Sequence, residues 1–154
     1  MLATGEQAPD IQLPDLNGSS WSLAQALKNG PVILAFFKIA CPTCQLTFPF
    51  LQRLADASPS TLLMAVSQDD TPETREFHHR LGVSIPTILD TARTWPASNA
   101  YQITSVPSLF VIEPNGTISF AIEGFSKAAI EKLGERFGGS PFRESDRVPA
   151  LRPG

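Results

Sequence analysis

The chain contains two cysteines, and they stand close together in Cys41-Pro42-Thr43-Cys44. On a helix that spacing puts both side chains on one face, with Cβ atoms roughly 5–6 Å apart. Two thiols so placed close a local disulfide and exchange it with another thiol or disulfide. Residues 32–40 before the motif (VILAFFKIA) are almost wholly apolar and read as a central strand buried on both faces. Residues 42–57 after it carry Leu46, Phe50, Leu51, Leu54 and Ala57 at helical spacing, with Pro42 suited to the first helical position. Cys41 therefore falls at a helix N-terminus, where unpaired N–H groups and about half a positive charge favour a thiolate. It is expected to be exposed and reactive, with Cys44 one turn on, less exposed and placed to resolve a mixed disulfide. The same pair also reads as two inert buried thiols or as half of a metal site. The metal reading lacks partners, because His78 and His79 are the only histidines and adjacent helical residues do not share a face. No metal and no organic cofactor is expected.

The elements that must hold the pair are written in the surrounding pattern. Residues 9–21 alternate around Asn17-Gly18 and predict a peripheral hairpin. Ser22 suits the cap of a short helix over 22–28. Pro49 inside the helix 42–57 predicts a kink. Residues 61–67 predict a second buried strand, Thr71 to Leu81 a helix closed by Gly82, 85–89 a short strand and 95–101 a brief helix. Residues 108–113 and 117–122 predict a strand pair joined through Pro114-Asn115-Gly116, and 126–137 a helix with Ala129, Ile130, Leu133 and Phe137 on one stripe. Strands alternating with helices require parallel pairing through crossovers, and the closing hairpin adds antiparallel strands. The expected fold is α/β, a central mixed β-sheet flanked by helices. Phe36, Phe48, Leu109, Phe110 and Leu62 to Val66 are the expected core.

Composition sets the outer bounds. A length of 154 residues fits one domain, expected over 1–137, followed by a loose Gly/Pro-rich C-terminal tail, 138–154. Apolar residues at 42% and charged residues at 18% exclude a disordered chain. A net charge of −3 argues against a nucleic-acid or anionic-membrane binder. No apolar run approaches the roughly 20 residues of a membrane span, and the first residues lack a signal-peptide pattern. A cytoplasmic monomer is expected, with a periplasmic or exported location the alternative if further residues precede Met1.

With these pieces in place the sequence resembles the thioredoxin superfamily, in its TlpA-like and redoxin (AhpC/TSA-like) branch. The resemblance is carried by the apolar strand with CPTC, by Ser105-Val106-Pro107-Ser108-Leu109-Phe110-Val111-Ile112, and by the Asn115-Gly116 hairpin. The long stretch between Cys41 and Pro107 leaves room for a strand–helix insertion, and APDIQLPDLNG and Phe48-Pro49 fit the same branch. The resemblance implies a thioredoxin-like fold with an N-terminal hairpin extension, and a thiol–disulfide oxidoreductase. It implies a cis Pro107 facing the cysteines, with substrate docked by Pro42, Thr43, Val106 and Pro107. Its partners would be protein thiols and disulfides, and a redox protein that supplies or takes electrons. A strand-start proline at a sheet edge is the plainer reading of Pro107.

Three departures matter. Ala40 stands where thioredoxins carry Trp, Ala35 where they carry a buried Asp, and Thr47 where TlpA-like proteins carry Glu. The usual proton acceptor for Cys44 is therefore missing, and water or an unplaced group is expected to serve. Lys38 is a candidate source of positive potential, and equally a solvated strand-end lysine. A peroxiredoxin-type thiol peroxidase is the rival, since Cys41-Pro42-Thr43 copies its Pro-Thr. However, Lys38 replaces the pattern's Thr, and Val106-Pro107-Ser108 lacks its arginine. A redox-inactive binding module on the same fold is the third reading.

Overall fold

The computed structural model describes residues 1–90 and 93–154. Its centre is a five-stranded sheet in the order β5-β4-β3-β6-β7. These strands are β3 (Val32–Phe37), β4 (Leu62–Ser67), β5 (Thr87–Leu89), β6 (Ser108–Ile112) and β7 (Ile118–Glu123). β3 pairs parallel with β4 and β4 with β5, while β6 runs antiparallel to β3 and to β7. The expected mixed sheet is thus present, and every residue of the central strand β3 is buried. That strand is shorter than 32–40, because the chain turns out of the sheet where Lys38 is exposed.

Side chains alternate across a strand, so neighbouring Phe36 and Phe37 serve opposite faces. Phe36 meets Tyr101 and Phe110, with ring centroids 5.4 and 5.8 Å away. Phe37 meets Phe48 and Phe77 at 4.4 and 4.8 Å. Phe48 lies on α2 (Pro42–Ala57) and Phe77 on α3 (Thr71–Leu81), so those helices cover one face. α2 runs unbroken through Pro49, from Pro42 to Ala57.

The peripheral hairpin forms from β1 (Gln12–Pro14) and β2 (Ser20–Ser22), in antiparallel register with Leu13 opposite Trp21. Ser22 caps α1 (Leu23–Leu27), accepting from the Gln25 N–H. Between β5 and β6 lies α4 (Pro96–Ala100), held by Asp90, whose buried carboxylate accepts from the N–H groups of Ala97 and Ser98. After β7 come β8 (Phe125–Ser126), α5 (Lys127–Phe137) and β9 (Leu151–Arg152).

Residues 138–154 depart most from expectation. In place of a loose tail, Phe142 packs its ring 4.6 Å from that of Phe50 and 6.1 Å from that of Phe125. Arg53 pairs with Asp146 at 2.7 Å and donates to the Pro141 carbonyl. β9 then pairs antiparallel with β8, Arg152 opposite Phe125. Composition misleads here because a few aromatic, ionic and backbone contacts are enough to hold a Gly/Pro-rich segment that has no periodicity of its own.

Candidate active site

The end of β3 and the start of α2 deliver the cysteine pair. Lys38, Ile39 and Ala40 make the turn between them. The turn is clamped from two sides: Gln45 donates its side-chain amide to the Ile39 carbonyl, and Asp69 accepts from the Ile39 N–H. Cys41 is the N-cap of α2, with extended backbone, and its sulfur accepts from the Cys44 N–H at 3.1 Å. The Cys41 thiol also donates to the Val106 carbonyl at 3.3 Å. The sulfur thus stands between a helix N-terminal donor and the backbone of the facing loop. Val106 and Pro107 are joined by a cis peptide bond, and the Pro107 carbonyl accepts from the Gly124 N–H at 2.8 Å.

Both cysteines are free thiols. Cys44 is fully buried, as its position one turn inside the helix implies. Cys41 is only 5% exposed, which corrects the expectation of an exposed thiol. The cap position is as expected, but the Val106 loop stands over the sulfur.

Burial pushes the Cys44 thiol up, and the hydrogen bond and charge of Cys41 act in the same direction. The Lys38 backbone and the Lys38 ammonium act the other way, and more weakly. Among the described residues no carboxylate figures among the groups acting on this thiol. Thr47, at one expected acid position, is buried and donates its hydroxyl back to the Thr43 carbonyl. Ala35, at the other, is buried between Ala65 and Leu109 in the sheet.

A cavity of about 390 Å³ opens beside the pair, walled by Lys38, Cys41, Pro42, Gln68, Ser105 and Val106, among others. It gathers three of the expected site residues, Lys38, Pro42 and Val106, around Cys41. Thr43 is buried and turns elsewhere, donating to the Pro153 carbonyl at 2.6 Å. Pro153 and Gly154 are invisible from sequence, since no local pattern marks them in a Gly/Pro-rich segment. Gln45 and Asp69 were missed for a related reason, because their hydrogen bonds depend on how distant loops meet.

The histidines lie apart from the pair. His78 is hydrogen-bonded to Thr87, and its protonation is disfavoured by burial and by Arg75. Among the described residues no group of three or more His, Cys, Asp and Glu side chains is placed to hold a metal. Among the described residues no arginine lines the cavity beside Cys41; Arg75 is engaged with the Leu16 carbonyl and Asn17.

A central mixed sheet, with paired thiols at the start of a helix opposite a cis proline, defines a thioredoxin-fold protein. The AhpC/TSA family profile matches residues 4–121, and the chain belongs to that family. It is 29% identical over 135 residues to the thiol-disulfide oxidoreductase ResA of Geobacillus kaustophilus, covering 85% of this chain and 76% of that protein. To ResA of Halalkalibacterium halodurans it is 30% identical over 121 residues, covering 77% and 67%. Among solved structures it resembles the thioredoxin domain of a thiol-disulfide oxidoreductase from Bacteroides vulgatus. The TM-score there is 0.76 at 23% identity, over 89% of this chain and 99% of that one.

Proposed function

We propose that Cys41 attacks a disulfide of a protein substrate and that Cys44 then displaces the mixed disulfide. The chain is a thiol–disulfide oxidoreductase. In the reducing direction the Cys41 thiolate forms a bond to one substrate sulfur, and the other substrate sulfur leaves as a thiolate and takes up a proton. Cys44, losing its proton to water, attacks Cys41, and the first substrate sulfur leaves in turn. The substrate has gained two electrons, and Cys41 and Cys44 end as a disulfide. A second redox protein with its own dithiol restores them, and the oxidising direction runs the same steps backwards.

The observation that carries this reading is the Cys41 sulfur, held between the Cys44 N–H and the Val106 carbonyl at the mouth of a cavity. A substrate segment laid along Val106 and Pro107 would bring its own sulfur to that point, with Pro42 and Thr43 beside it. Lys38 at the cavity wall adds positive potential where a thiolate leaves. A peroxidase finds less support, because among the described residues no arginine lines the cavity to polarise a peroxide.

Insulin disulfide reduction with a dithiol as electron source tests the assignment, run beside hydrogen peroxide consumption. Insulin should be reduced, and Cys41→Ser should abolish the reaction. Fast, saturable peroxide turnover with slow insulin reduction would overturn the reading. The reduction potential of the pair then sets the direction, with about −270 mV marking a reductant and about −120 mV an oxidant.

A further inference from the structure

We propose that residues 151–154 form a strap across the Cys41 site that a substrate segment must displace. The proposal rests on the oxidoreductase reading above and adds the regulation of that same site. The strap is held along its length. At its start Leu151 and Arg152 pair with Ser126 and Phe125, and the Ala150 carbonyl accepts from the Lys127 N–H. In its middle the Thr43 hydroxyl donates to the Pro153 carbonyl at 2.6 Å. At its end Gly154 lies so close to the docking loop that a Cβ there would stand 2.2 Å from the Val106 carbonyl oxygen. Gly154 also shares the cavity wall with Cys41, Pro42 and Val106.

The strap therefore engages the groups that the proposed function assigns to substrate. It uses the Thr43 hydroxyl from the active-site helix and crowds the Val106 carbonyl of the cis-proline loop. Gly124 records the same fit from below, since a Cβ there would come within 2.6 Å of the Arg152 carbonyl oxygen. An attacking thiol that is 5% exposed is hard to reconcile with direct access by a protein disulfide. A displaceable cover reconciles them: the incoming extended segment replaces the strap's backbone contacts with its own. The exchange releases a strap that is already ordered, so selectivity goes to partners whose segment competes for Thr43 and Val106.

The test uses the reduced full chain and two variants that lift the strap differently. Gly154→Val introduces a side chain against Val106, and Thr43→Val removes the donor to Pro153. Iodoacetamide labelling of Cys41, followed by mass spectrometry, reads access. Backbone amide relaxation at Arg152 and Gly154 reads order. In the unmodified chain both amides should be rigid and labelling slow; in each variant they should become mobile, with labelling about tenfold faster. Mobile amides in the unmodified chain would overturn the proposal. So would variants whose strap stays ordered, or whose strap is released while labelling is unchanged. Neither readout needs disulfide exchange, so both can fail while insulin reduction succeeds, and the strap can be confirmed in a chain that reduces nothing.

Discussion

The proton on Cys44 sets the pace of the second half of the exchange. A thiol with the ordinary value of 9.0 is about one part in a hundred thiolate at pH 7. Cys44 is fully buried, and its burial and its contact with Cys41 both push the value higher. Each unit of that rise removes a further factor of about ten in thiolate, equivalent to about 1.4 kcal/mol. Among the described residues no carboxylate acts on the sulfur, which leaves hydroxide or water to take the proton. The resolving rate should then climb about tenfold per pH unit from pH 6 to beyond pH 9, with no plateau. The aromatic disulfide DTNB separates the two steps. Attack by Cys41 releases one thionitrobenzoate and leaves the other attached, and attack by Cys44 releases the second. Stopped-flow absorbance across the pH range follows that second release, and Cys44→Ser should abolish it. A plateau or a bell centred near neutrality would refute the reasoning, because it would require a base beside Cys44.

The same proton governs stability. Because the folded state holds Cys44 protonated, its contribution is fully present below about pH 9 and is lost as pH rises above it. Urea titrations of the reduced chain should show falling stability above that point, and Cys44→Ala should remove the part of the slope that begins there. Phe142→Ala should cost about 2 kcal/mol by the same titrations, less than a fully buried phenylalanine because its ring is half-buried against Phe50 and Phe125. Phe36→Ala, fully buried between Tyr101 and Phe110, should cost about 3–5 kcal/mol.

The site core was legible because its determinants are local. An apolar run, two cysteines at helical spacing and a proline at the first helical position place Cys41 at a cap without knowledge of the rest of the chain. Phe36 and Phe37 likewise announce a strand buried on both faces, and both faces are filled by aromatic residues. Pro107 needed the family pattern, since nothing in Ser105 to Ser108 alone says what it faces. The cover over Cys41 was not legible. Its exposure depends on the Val106 carbonyl and on Gly154, which come from separate stretches of the chain. The tail is illegible for a sharper reason: its anchors are isolated residues answered from far away in the chain, Phe142 by Phe50 and Phe125, Asp146 by Arg53 and Pro153 by Thr43. Periodicity detects faces, and a chain pinned at single points presents none.

Gly134 indicates that the tail's course is built into the domain. A glycine inside a helix costs about 1 kcal/mol against alanine, and α5 carries one among its buried residues. A Cβ at that position would stand 2.5 Å from the Gly139 carbonyl oxygen and 2.9 Å from the Pro141 ring. The helix forgoes its own stability so that the returning chain can lie against it. Gly134→Ala puts the two effects in opposition: helix propensity favours the variant, and the backbone clash opposes it. If the tail is integral, the clash wins, and the variant melts at a lower temperature, with weakened packing of Phe142 seen as a change in its ring NMR shifts. If the tail is incidental, it yields, propensity decides, and the variant melts higher. A higher melting temperature with unchanged Phe142 shifts would mean that the close approach of Gly139 is not a feature of the folded protein.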